Sequence, residues 1–420
     1  MGPGPQEPNH EPPRRPAPGR LWLPLLAAAF ALVAVHGIGR FAYTPLLPLL
    51  VADGFMGLDA GAAIATWNYV GYLLGAMLAI RLHEPAQIRR ILPVALLVNA
   101  ASTLAQGFTD NLMLFLVLRL INGVSNGVVF VQAPALVLEW LARHGLASLS
   151  GLMYFGVGGG LLLSNALANL PADLLHGAAR WWPMALAAVP LAWWSARQLG
   201  RLDRPQAGAP AQPAASRATP LIDRASLPVF MAYAGAGLGY ILPTTFLPVV
   251  AREQLPAGHW LQSGAWLILA LSTLAAAWLW NRLGSRMGDR NALVLNYVVQ
   301  GIGVAGPLLW PGTVGVLACA LMVGCTFLGS VLLTQRLARA LHPHQGPRIS
   351  AALITLYGFA QLTGPWMARL WLERGGSMSD TYWLGVGALV WATGWTLRTR
   401  QVVGHAVAPA GAALPAAPAD

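Results

Sequence analysis

Apolar residues run along this chain in long blocks separated by short clusters of arginine, glycine, proline and asparagine. A helix needs about 20 apolar residues to cross a bilayer. Breaking the blocks at charges and turn residues predicts twelve such helices. In the first half they cover residues 22–50, 60–80, 91–108, 112–138, 146–170 and 180–197. In the second half they cover 228–250, 261–282, 291–310, 312–335, 348–371 and 381–397. Residues 1–20 and 399–420 read as disordered tails, and 200–225, rich in alanine, proline and arginine without an apolar period, reads as a cytosolic linker. The expected layout is a six-helix bundle over 21–199 and a second over 226–398.

The two halves share a pattern. Gly37, Gly39, Thr44, Leu47 and Pro48 recur 200 positions later as Gly237, Gly239, Thr244, Leu247 and Pro248, with Tyr240 where the first copy has Arg40. Arg81, Leu82 and Arg89 align in the same way with Arg282, Leu283 and Arg290, one residue further out of step. Similarity at a fixed offset marks an internal repeat.

Composition narrows the class. Hydrophobic residues make up 56% of the 420-residue chain and charged residues 10%, far below the roughly 25% of a soluble domain. An integral membrane protein follows, with the lipid bilayer as its main partner. All 26 basic residues are arginines. Without lysine there is no P-loop of the usual kind and no Schiff-base chemistry. The net charge of +11 does not indicate nucleic acid, because the arginines fall between apolar blocks: 20 lie in the tails, linker and alternate loops and four in the opposite loops. That asymmetry places both termini in the cytosol of a bacterial cytoplasmic membrane. Cys319 and Cys325 lack metal-ligand spacing, so neither a metal nor a cofactor is expected.

Two further motifs carry a family resemblance. Arg119, Gly123 and Gly127 in the fourth helix are similar to the arginine-plus-glycine motif of the major facilitator superfamily, and Gly284-Ser-Arg286-Met-Gly288-Asp289-Arg290 resembles its loop motif. The wording Gly37-Ile-Gly-Arg-Phe-Ala-Tyr-Thr-Pro-Leu-Leu-Pro48, followed by Asn68-Tyr-Val-Gly-Tyr-Leu-Leu-Gly75, looks like the YbfB-like branch. The resemblance implies an all-α carrier of two related bundles with its solute site between them. It also implies cytosolic gating loops at Arg81, Arg89, Arg286, Gly288, Asp289 and Arg290. The first copy of the loop motif lacks its glycines and aspartate, and Ser285 stands at the aspartate place of the second.

Arg40 and Arg119 lie inside apolar spans, where an arginine costs several kcal/mol unless it finds an interior partner or water. The acidic residues fall in tails, loops or span ends. Two guanidiniums without a buried acid suit an anion, which they pair bidentately. The expected solute site comprises Arg40, Arg119, Tyr43, Thr44, Asn122, Asn126, Tyr240 and Thr244. The alternative for each arginine is a packing role on helix carbonyls and amides. His36, one turn before Arg40, is the candidate for a coupling proton. The leading expectation is a monomeric secondary or facilitative carrier of a small organic anion working by alternating access. Efflux of amphiphilic or drug-like compounds is the alternative within the same class. A hydrolase built on Ser125 and His36 is the alternative from another, although no acid stands ready to orient the histidine.

Overall fold

In the computed structural model the described residues are 18–82, 85–144, 152–170, 175–202, 222–342 and 346–400; most of the expected tails and linker lies outside them. The apolar blocks form α1 (Pro18–Leu32), a π-helical segment (Val33–Phe41), α2 (Tyr43–Ala52), α3 (Leu58–Arg81), α4 (Pro85–Gln106), α5 (Leu112–Arg143), α6 (Phe155–Ala168) and α7 (Trp182–Gly200). The second half forms α8 (Leu227–Gln254), α9 (Leu261–Met287), α10 (Asp289–Leu309), α11 (Thr313–Leu341), α12 (Gly346–Leu372) and α13 (Tyr382–Leu397). The π segment joins α1 and α2 into one rod, so the described residues make twelve rods, six per half, in an all-helical membrane fold. Seven of them are individually long and apolar enough to cross a bilayer, and α9 is an eighth if its bent halves count as one span.

Several helices outrun their apolar blocks. Arginine stems can lie along apolar surface while their heads reach water, so α9 and α11 continue past the predicted ends and Arg286 and Arg336 are helical. Likewise α4 starts at Pro85, a residue suited to a first turn because its missing N–H would have no partner there. Arg89 therefore sits on a helix rather than in the expected loop. The stretch Gly284–Arg290 is also not a loop: only Gly288 interrupts the helices, with φ +85°, a left-handed turn that a side chain would strain. The fifth helix is shorter at both ends than its 146–170 block, and 145–151 lie outside the described residues.

Packing within the first half is tightest between α3 and α5. A β-carbon at Gly71 would meet Leu120 O and one at Gly75 would meet Val124 O, while one at Gly123 would meet Asn68 O and one at Gly127 would meet Tyr72 O. Four glycines thus interdigitate as two small-xxx-small pairs that bring the backbones together. The second half is held chiefly by α11 against α9 and α10, and by α13 against α8. The halves meet along α3 with α12, α6 with α9, and α2 with α8.

At the arginine-poor end the repeat shows again. Asp53, just past α2, accepts from Arg180 Nε at 2.5 Å, Arg180 Nη2 at 2.8 Å and the Gly177 amide at 2.8 Å, closing onto the 3-10 turn before α7. Glu253, 200 positions later at the end of α8, accepts from the Met378 and Ser379 amides at 3.1 and 3.0 Å and from the Ser379 hydroxyl, closing onto the turn before α13. The Arg180 guanidinium and the Gly177 amide hold the Asp53 carboxyl below its ordinary range.

Gly123→Val drives a side chain into the α3 backbone and is expected to cost ~3 kcal/mol or more, read as loss of monodisperse protein and a lower melting point in detergent. Gly159→Ala, where a β-carbon meets nothing, is the neutral control. The lowered Asp53 carboxyl stabilises the fold above its unfolded value of about 4, and this contribution is lost as pH falls through the folded value. Asp53→Asn should therefore lower the melting point at pH 7, and the gap to wild type should close on acidification.

Candidate functional site

The π segment is the centre of the site. It carries His36, Gly37, Gly39 and Arg40, all buried. A π turn is wider than an α turn and commonly marks a functional position. The segment is followed by Pro45, which has no N–H to offer Phe41 O one turn back. From the side, Arg119 of α5 donates to the backbone: its Nη1 to Gly39 O at 2.6 Å and its Nη2 to Arg40 O at 3.4 Å. The guanidinium also lies 4.8 Å from the Tyr43 ring centre and 5.5 Å from that of Trp181. Arg119 thus serves the backbone of the first half, and the structure does not place it in a chamber shared with Arg40.

Arg40 points the other way, to the boundary between the halves. It is 3% exposed, and an Nη atom donates to Gln361 Oε1 of α12. Its guanidinium carbon lies 4.6 Å from the ring centre of Tyr69, 4.4 Å from that of Tyr72 and 5.4 Å from that of Phe41. Its Nε has no partner, and no carboxylate among the described residues pairs with it. Aromatic faces contribute about 2 kcal/mol or more each to a desolvated cation, but none of these partners carries a negative charge, so the site stays electropositive.

Tyr240, the repeat counterpart of Arg40, lies across the boundary. Its ring stacks on Tyr357 at 5.3 Å and on Phe327 at 5.7 Å, and its phenol is close enough to Arg40 to interact with the cation. Nearer the arginine-poor end the halves are stitched by hydroxyls: Thr44 donates to Thr244 O at 3.0 Å, and Tyr69 Oη and Thr245 Oγ1 lie 2.9 Å apart. The Thr244 hydroxyl returns to Tyr240 O, and Tyr43 Oη donates to Gly61 O at 2.8 Å. Arg252 and Trp266 line a crevice between the halves just beyond, with Pro45, Pro48 and Pro248.

The amides form a separate cluster inside the first half. Asn122 donates to Ser102, Thr103 and Asn99 O, while Asn99 donates to Asn122 O and Ser125 Oγ. Gly39 fits against this cluster, since a β-carbon there would strike Asn99 Oδ1 at 2.6 Å. His36 Nδ1 is paired with Asn126 Oδ1 at 3.1 Å, and its ring stacks on Phe130 at 4.2 Å. Ser125 donates to Ile121 O and Asn122 O. Serine and histidine are each engaged elsewhere, so the hydrolase alternative finds no dyad.

The expected residues therefore divide. Arg40, Thr44, Tyr240 and Thr244 meet at the boundary; Arg119, Asn122, Asn126, His36 and Tyr43 hold the first half together. Tyr69 and Asn99 were missed, and only their polarity within apolar blocks signalled them. Of the expected gating residues, Asp289 pairs with Arg336 at 3.0 Å and Arg290 donates to Leu397 O, both within the second half. Gly288 forms the joint, while Arg81 and Arg286 are exposed at the ends of α3 and α9 and Arg89 lies on α4.

Two helical bundles around a buried polar centre define a polytopic transporter. A family described as "Uncharacterised MFS-type transporter YbfB" matches residues 31–397, and the chain belongs to it. It is a multi-pass membrane transporter and not an enzyme. Solved structures share the fold. The nucleoside transporter NupG has a TM-score of 0.69 at 14% identity, covering 90% of this chain and 100% of its own. A D-xylose-proton symporter has 0.67 at 16%, covering 90% and 96%. The xylose transporter XylE from E. coli, inward open, has 0.68 at 14%, covering 92% and 96%. A search of curated proteins finds no match.

The two arginines should separate in a melting experiment. Arg119→Ala strands the Gly39 and Arg40 carbonyls, at about 1–3 kcal/mol for each buried group, and should lower the melting point clearly. Arg40→Gln removes a buried charge that has no carboxylate partner among the described residues and should leave the melting point unchanged or raise it.

Proposed function

We propose that this transporter carries a small organic anion between its halves by alternating access, with Arg40 as the principal anion-binding group. The observation that carries the reading is a sealed guanidinium at the boundary whose partners are neutral: the rings and phenols of Tyr69 and Tyr72 and the amide of Gln361. A carboxylate taking the place of Gln361 Oε1 would give this cation the charged, bidentate partner it lacks. The fold neighbours, described as nucleoside and xylose transporters, support a solute of small-molecule size.

Alternating access requires the boundary to part. Breaking the Thr44–Thr244 and Tyr69–Thr245 bonds would expose Arg40 from the arginine-poor end, taken here as the outside, with both termini cytosolic in a bacterial cytoplasmic membrane. His36, one turn from Arg40, is the candidate coupling group. Its partner Asn126 ties it to α5 rather than to the solute.

Uptake of labelled carboxylates into proteoliposomes tests the role of Arg40. Losing a charge-assisted bidentate pair worth about 3 kcal/mol should reduce uptake about 100-fold in Arg40→Gln, with partial recovery in Arg40→Lys. Undiminished carboxylate uptake in Arg40→Gln would refute the reading.

A further inference from the structure

We infer that the anion is a planar aromatic monocarboxylate, its carboxylate on Arg40 and its ring against a wall of stacked tyrosines. This inference rests on the anion site proposed above and adds the shape and charge of the rest of the molecule.

The wall belongs to the second half. Phe327, Tyr240, Tyr357 and Tyr233 form one file of rings, with centroids 5.7, 5.3 and 4.3 Å apart and interplanar angles of 13°, 10° and 14°. Packed aromatic rings adopt edge-to-face as readily as offset-parallel geometry. Four successive near-parallel rings drawn from α8, α11 and α12 instead build one continuous stack. The opposite face belongs to the first half: Tyr72, Tyr69 and the Arg40 guanidinium they flank. The two faces are pressed together at Gly358, where a β-carbon would meet Leu73 and the Tyr72 ring. A small separation of the halves opens a slot lined by aromatic rings on both sides, with the Arg40 guanidinium at its rim. A flat ring enters such a slot at a smaller opening than a puckered one.

Charge sets the rest. Arg119 is committed to the carbonyls of Gly39 and Arg40 and Arg252 lies in the crevice beyond, so among the described residues Arg40 is the guanidinium at the slot, which suits one carboxylate. Among the described residues the acids sit at helix ends or in turns, where Asp53, Glu253 and Asp289 are already bonded. None of them stands at the slot to receive an ammonium group, which disfavours an amino acid.

The test is titration calorimetry of the full chain in nanodiscs with benzoate, cyclohexanecarboxylate and benzamide. Benzoate should bind about tenfold more tightly than cyclohexanecarboxylate, the ratio that ring stacking supplies, and benzamide should not bind. The preference should fall to near one in Tyr240→Leu and persist in Tyr240→Phe. Retained binding of cyclohexanecarboxylate shows that the leucine variant is folded. If that variant does not fold, the wild-type ratio decides. Equal, Arg40-dependent binding of the two acids would overturn the aromatic inference and leave the anion reading standing. Binding of benzamide as tight as benzoate, or of neither acid at millimolar concentration, would overturn both.

Discussion

The pairing of Arg119 with two peptide carbonyls is the interaction on which the rest of the structure depends. Inside a bilayer every backbone group must find its partner within the protein. The π segment ahead of Pro45 breaks the regular ladder, and the guanidinium of α5 answers it from the side. The second copy of the repeat has no arginine between Thr313 and Gln335, and there Gly237–Pro248 stays an unbroken part of α8. One charged side chain thus accompanies two geometries of nearly the same sequence. In the first copy Arg40 stays against Tyr69 and Tyr72 of its own bundle and reaches across to Gln361.

A division of labour follows. Arg119 is bonded to two backbone carbonyls of its own bundle, so its burial contributes to folding. Arg40 is flanked by rings and one amide, so its burial leaves binding capacity unspent. Sites of this kind trade stability for function, and the cost falls on one side chain while the surrounding glycine-mediated packing stays dense.

Much of the fold was legible because apolar blocks and arginine clusters are coarse signals, and twelve rods follow from them. Helix ends were less so, since arginines extend a helix well past the last apolar residue, as at Arg286 and Arg336. The π segment left no trace in the pattern: Gly37 to Pro48 and its repeat read alike, and only the Arg119 position, on another helix, separates them. For the same reason the two arginines looked equivalent. Depth along a helix can be counted from sequence, but the face on which Arg119 meets the carbonyls of Gly39 and Arg40 depends on the α3–α5 glycine contact and the rotation it imposes. Gln361 and Tyr69 gained their significance only from proximity to Arg40.

The paired acids at the ends of α2 and α8 show what an ancient doubling preserves. Asp53 kept its address while its donors became a guanidinium and one amide; Glu253 kept the same address with two amides and a hydroxyl. The corner between first and last rod of each bundle is therefore inherited as a geometry, and its chemistry has drifted. In a protein assembled from two copies of one ancestral piece, equivalent places can outlast equivalent residues.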